Sequence, residues 1–206
     1  GKTLTLENIN IDDLTGLEAF VSLENLTLIN LSIDEIDLST LTKLKELNLF
    51  RNRLPQLDVT KNEDLEILLA SENALSSIDL SKNINLQRLN LNYNQFKSTI
   101  NLSANEKLQF LDILGNVQGN QITSIDFSNN PLLEEVQIQE NLLTSIDVSS
   151  NLNLKRLSLG ANNISTIDVA NNELLERLNV EIQNPKDSVH KIVLQTTIDN
   201  INKLLK

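Results

Sequence analysis

The chain has 206 residues, of which 41 are Leu and 30 are Asn, with a single His and neither Cys, Met nor Trp. Lys and Arg total 17 against 28 Asp and Glu, a formal net charge of −11. The missing Cys excludes a disulfide framework, a thiolate metal centre and a cysteine nucleophile, the lone His190 excludes a two-His metal site, and the acidic balance argues against a nucleic-acid interface, whose footprint is a basic patch. At 40% hydrophobic residues the chain can bury a large core. No run approaches the ~18 uninterrupted apolar residues of a membrane span. No secretory leader opens the chain. It starts on Gly1 rather than Met, as a processed or trimmed chain would, so the missing leader carries no weight on location.

Self-similarity runs from end to end. A degenerate first unit, GKTLTLENIN, carries Leu4 and Leu6 in the columns that later units fill. Residues 12–21 then place Leu14, Leu17, Phe20 and Val21 at helical spacing after two acidic residues, which predicts a helical N-terminal cap. Full units start at Leu23, Leu44, Leu65, Leu86, Leu108, Leu133, Leu154 and Leu175, at spacings of 21, 21, 21, 22, 25, 21 and 21. Within each unit L-x-x-L-x-L alternates with period two, so Leu47 and Leu49, or Leu89 and Leu91, point one way and their neighbours the other. Stacked units would pair these short strands in parallel, at about 4.8 Å per step.

Two Asn columns and one Asp column follow the strands. Asn52, Asn73, Asn94, Asn141 and Asn162 sit where the chain leaves the strand, where an amide can satisfy buried backbone groups of its own and the neighbouring coil. Asn62, Asn83, Asn105, Asn130, Asn151 and Asn172 are placed to close the return turn. The Asp column comprises Asp37, Asp58, Asp79, Asp126, Asp147 and Asp168, with Asn101 once in its place. It reads either as a calcium ladder or as local capping of backbone N–H groups. One carboxylate per coil, without a Gly-rich Asp loop, cannot supply six or more oxygens, so capping is the reading adopted and no metal site is expected.

The unit from Leu108 carries four extra residues in LGNVQGNQI, with Asn116 and Asn120 as rival ladder residues; the insertion reads as a loop on one rim, a tolerated surface bulge ahead of a specialised binding loop. Gly115 and Gly119 do not make a phosphate-cradling loop. Near the end a strand-like VHKIVL precedes a segment in which Thr196 or Thr197 would cap a helix bearing Ile198, Ile201, Leu204 and Leu205 on one face. His190 falls in this capping region as a surface or edge residue without a catalytic partner.

The pattern L-x-x-L-x-L-x-x-N-x-L, over nearly the whole chain, resembles the leucine-rich repeat. Its second half, L-x-x-[IL]-D-[LVF]-S-x-N, is similar to the 21-residue bacterial IRREKO-type repeat and to repeat arrays in Bacteroidetes surface proteins. The opening IDDLTGLEAFVSLENLTL looks like the lead-in segment of those arrays. Expected from this is a leucine-rich-repeat solenoid of right-handed β-loop or β-α coils, about nine repeats, with parallel strands on its concave face and helical caps at both ends. It would form one domain over residues 1–206: cap 1–22, repeats 23–174, and C-terminal repeat and cap 175–206. The resemblance further implies a secreted or surface-anchored bacterial protein with host or neighbouring-cell partners.

Residues alternating with the strand leucines line the concave face and are free of core duty. Most are polar, but the middle coils present Phe50, Ile67, Leu69, Phe110 and Leu114, with Tyr93 one position further on. Arg88 lies among them, and Asp112 lies two positions after Phe110 on the same face. These eight residues form the candidate ligand-binding surface, since an apolar patch rimmed by polar residues marks an interaction site and Arg is favoured at interface centres. The function expected is non-catalytic recognition of a protein or peptide, without cofactor, membrane span or nucleic acid. A rigid spacer in a larger surface protein and a glycan-binding surface are the alternatives, the second weakened by the scarcity of aromatic platforms, and edge coils could pair into a dimer. No nucleophile, base and orienting group come together in the sequence, so no enzyme is expected.

Overall fold

The computed structural model of the chain describes residues 2–11, 13–115, 118–180 and 193–194. Its strands are β1 (Thr3–Glu7), β2 (Asn25–Ile29), β3 (Glu46–Asn48), β4 (Ile67–Leu69), β5 (Arg88–Asn90), β6 (Phe110–Asp112), β7 (Glu135–Gln137), β8 (Arg156–Ser158), β9 (Thr166–Ile167), β10 (Arg177–Asn179) and β11 (Val193–Leu194). Nine of them make one parallel sheet in the order β1-β2-β3-β4-β5-β6-β7-β8-β10, and β11 pairs in parallel with β9. Every neighbour in the large sheet is one coil on in sequence, so the fold is a β-solenoid. Nine strands bound eight complete turns, and the repeat count is therefore about eight; counting to nine included the partial first unit.

The middle residue of the short strands points inward: Leu47, Leu68, Leu89, Leu111 and Leu157 have no exposed surface, Val136 is buried, and Leu178 of β10 is partly buried. Residues half a coil later, such as Leu54, Leu75 and Ile122, meet them from the back, so the core is one ribbon running the length of the stack. Phe96 and Phe127 belong to this ribbon.

Asparagine closes each turn. Asn73 Nδ2 donates to the carbonyls of Leu49 (2.9 Å) and Ala70 (3.3 Å), while its Oδ1 accepts the Leu54 N–H at 3.1 Å. Asn52, Asn94, Asn141 and Asn162 repeat the arrangement. In the longer coil Asn120 takes the ladder position, donating to Leu91 and accepting from Phe96; Asn116 lies outside the described residues. The second column differs. Asn83 Nδ2 donates to the Val59 and Asn62 carbonyls at 3.0 and 2.9 Å, and its Oδ1 accepts nothing. These amides act as paired donors: from Asn83 on each is hung on the Asn of the coil before, while Asn62, the first, is hung on Leu41.

The helical N-terminal cap does not form. Residues 13–21 contain one 3-10 turn, Leu17–Ala19, entered through Gly16 at φ 96°, a left-handed conformation that interrupts any helix arriving from Asp13. The Asp13 carboxylate accepts the Thr15 N–H at 2.9 Å, a local turn that competes with helix. Of the predicted apolar face Leu17 alone is buried, whereas Phe20 and Val21 stay exposed. The predicted C-terminal helix and His190 lie outside the described residues; Val193–Leu194, within the strand-like VHKIVL, pairs with β9. No helix among the described residues is long and apolar enough to cross a membrane.

Candidate functional site

The strand register sets the outer face of the sheet. Glu46, Ile67, Arg88, Phe110, Glu135, Arg156 and Arg177 are successive Cα partners across neighbouring strands. Asn48, Leu69, Asn90, Asp112, Gln137 and Ser158 form the second row. Both rows consist of the residues that alternate with the strand leucines. Core leucines anchor the inward positions, so a one-residue slip would turn every outer residue into the core.

The face holds its candidate residues unevenly. Phe50, Ile67, Leu69, Phe110 and Leu114 are half-buried rather than fully solvent-facing, because neighbours on parallel strands shield one another's flanks. Ile67, Arg88 and Phe110 are adjacent, and the Arg88 guanidinium sits 4.4 Å from the Phe110 ring centroid. Leu69 and Asp112 do not meet, since Asn90 stands between them. Polar β5 thus divides the apolar residues into Phe50, Ile67 and Leu69 on one side and Phe110 and Leu114 on the other, bridged by Arg88. Tyr93, 40% exposed, stands at the strand exit with φ 55°. The same left-handed turn recurs at Arg51, Glu72, Glu140 and Ala161. Sequence carries no signal for it, because Gly occupies none of these positions.

Amide side chains stiffen the exit. Asn90 Oδ1 accepts the Asn92 N–H at 3.0 Å, and Asn92 Oδ1 accepts the Leu114 N–H at 2.6 Å. Burial pushes the Asp112 carboxyl above the usual carboxylate range; Glu135 adds to this and Arg88 opposes it. The insertion begins at Gly115, where an added Cβ would meet the Glu140 carbonyl oxygen at 1.9 Å and that of Asn120 at 2.5 Å. This close backbone approach is the reason for glycine there.

Toward the C-terminal end lies a polar hollow of about 510 Å³, with Glu135, Gln137, Gln139, Arg156, Ser158 and Arg177 among its walls. Arg156 binds Glu135 at 2.8 Å, a contact that raises the guanidinium further, and Gln137 Nε2 donates to the same carboxylate at 2.8 Å. Gln139 Oε1 is buried without a donor. Sequence reasoning missed this hollow because its residues are individually ordinary polar ones.

On the back of the coils the Asp column caps as expected. Asp37, Asp58, Asp79, Asp126, Asp147 and Asp168 each accept the N–H two residues on, at 2.8–2.9 Å, and Asn101 does so at 3.0 Å. Among the described residues no group of His, Cys, Asp or Glu is arranged to hold a metal ion.

No family model matches the chain, and no curated protein does. Solved structures do. A Leptospira interrogans LRR protein superposes with a TM-score of 0.77 at 22% identity, over 86% of this chain and 48% of that one. Internalin C2 of Listeria monocytogenes gives 0.70 at 25% identity, over 88% and 80%. The plant peptide hormone receptor RGFR1, solved in complex with RGF2, gives 0.64 at 27% identity, over 80% and 29%. The chain spans about half the length of the Leptospira protein it matches. Repeat, register and likeness together define a leucine-rich-repeat solenoid, of the fold found in bacterial LRR proteins.

Proposed function

We propose that the solenoid is a non-catalytic recognition module that grips a protein or peptide partner along the outer, concave face of its sheet. The observation that carries this reading is the set Phe50, Ile67, Leu69, Phe110 and Leu114, apolar and only half-buried on a face where the fold demands no apolar side chain. Arg88, Tyr93 and Asp112 supply the polar contacts around it. RGFR1, solved with RGF2, supports a solenoid of this kind holding a partner. The internalin and Leptospira likenesses support a bacterial LRR protein. We read it further as secreted or surface-anchored and of the 21-residue repeat type, with cap 1–22, repeats 23–174 and C-terminal repeat with cap 175–206.

The test is a random peptide display library selected on the immobilised chain, with the enriched peptides titrated against Phe50→Glu/Phe110→Glu. Expected is an unchanged circular dichroism spectrum and at least a tenfold loss of affinity, about 1.4 kcal/mol. Undiminished binding by the folded double variant sinks the proposal.

A further inference from the structure

The back of the coils carries a second hollow, remote from the sheet face. It is an open groove of about 850 Å³ at the N-terminal end, lined by residues 11, 13–15, 17–18, 32–37, 56–58 and 77–79. Its floor is aliphatic: Leu14 and Leu17 beside the 3-10 turn, then Ile33, Ile36, Leu57 and Ile78 from three successive coils. Leu14, Ile36 and Ile78 are half-buried, so part of that floor meets water.

Its walls are acidic. Asp13, Glu18, Asp34, Glu35, Asp37, Asp58 and Asp79 all line it, and among the described residues no lining side chain is Lys, Arg or His. The column carboxylates each accept the backbone N–H two residues on, and Asp58 also accepts the Thr60 hydroxyl at 2.7 Å. They also repel one another, Asp58 acting on both neighbours, and at Asp79 this outweighs the attraction of Lys82. Metal is a poor occupant, because these carboxylates do not converge on one point.

We infer that this groove docks a cationic amphipathic helix of a partner protein, its leucine-type face on the Leu14–Ile36–Ile78 floor and its Lys or Arg residues against the flanking carboxylates. Charge complementarity selects a cationic occupant, since the lining carries seven carboxylates. The aliphatic floor suits the apolar stripe of an amphipathic helix, whose charged side chains flank that stripe. The inference does not depend on what the sheet face binds.

The probe is a fluorescein-labelled synthetic Leu/Lys peptide with amphipathic helical spacing, titrated by anisotropy against the whole chain. Expected is saturable binding, weakened by salt, that falls at least tenfold in Asp34→Asn/Glu35→Gln. The exposed pair Glu106→Gln/Glu173→Gln, with the same change of charge elsewhere, should stay within about twofold of the parent. A probe with Ser in place of Leu should bind at least tenfold more weakly. Equal losses in both charge pairs mean bulk attraction and overturn the inference, as does undiminished binding by the groove pair. Loss of binding in Phe50→Glu/Phe110→Glu would place the peptide on the sheet and overturn it too, leaving the sheet-face reading standing.

Discussion

The Arg88 guanidinium lies 4.4 Å from the centroid of the Phe110 ring, one strand over on the outer face of the sheet. The pair joins the two apolar halves of that face into one surface with a cation at its centre. Because Arg88 is exposed, the contact adds little to folding. Arg88→Ala is expected to change unfolding free energy by less than about 1 kcal/mol in a urea titration, while weakening any peptide selected on that face.

Leu89, between Arg88 and Asn90, tests the other side of the same strand. Its side chain has no exposed surface and packs between Leu68 and Leu111 of the adjoining strands. Leu89→Ala should lower stability by about 2–5 kcal/mol in guanidinium titration. A loss below about 1 kcal/mol would contradict the inward register.

Asn94 bonds backbone groups of two coils: it donates to Ala70 and Leu91 and accepts from Leu75 at 2.9–3.1 Å, with a longer contact to the Asn92 carbonyl at 3.3 Å. Truncation strands them in the core, where each unpaired group costs about 1–3 kcal/mol. Asn94→Ala should therefore destabilise the chain by at least about 3 kcal/mol, and hydrogen exchange should show the Leu75 amide losing protection.

Gly115 and Gly16 should respond differently to alanine. At Gly115 the new methyl runs into the fixed carbonyls of Glu140 and Asn120, so Gly115→Ala is expected to cost at least about 2 kcal/mol. At Gly16 a Cβ meets nothing within 4 Å, and only the φ of 96° resists it, for about 1–2 kcal/mol. Thermal midpoints of the two variants give the comparison.

Acid should weaken the solenoid through its back. Hydroxyl and backbone N–H donors at Ser39, Thr60, Ser81, Ser128 and Ser149 hold Asp37, Asp58, Asp79, Asp126 and Asp147 below the ordinary 3.8. A carboxylate lowered by folding contributes stability that is complete above its unfolded value and is lost as pH falls through its folded one. Asp112 works in the opposite sense: its raised value means that stability is gained as it protonates. The melting temperature should be nearly flat from about pH 7 to 5 and drop below about pH 4. Asp58→Asn/Asp79→Asn should lessen that drop, and Asp112→Asn should raise the neutral-pH midpoint.

The solenoid, the strand register and the composition of the outer face were legible in the sequence, because each rests on a period. Leu at every second position of a short strand must face inward, Asn must recur once per coil where the turn buries backbone, and the columns between them follow by counting. What counting does not reach is how columns interact in space. Only the tertiary structure decided that Phe50 and Phe110 are half-covered by their neighbours, that Asn120 carries the ladder, and that Gly16 stops the N-terminal helix. It alone brings Asp13, Glu18 and Asp34 into one groove with Asp37, Asp58 and Asp79 and an aliphatic floor. A repeat specifies each coil through local spacing, but grooves and ion clusters form between residues a coil apart, where stacking geometry sets what meets.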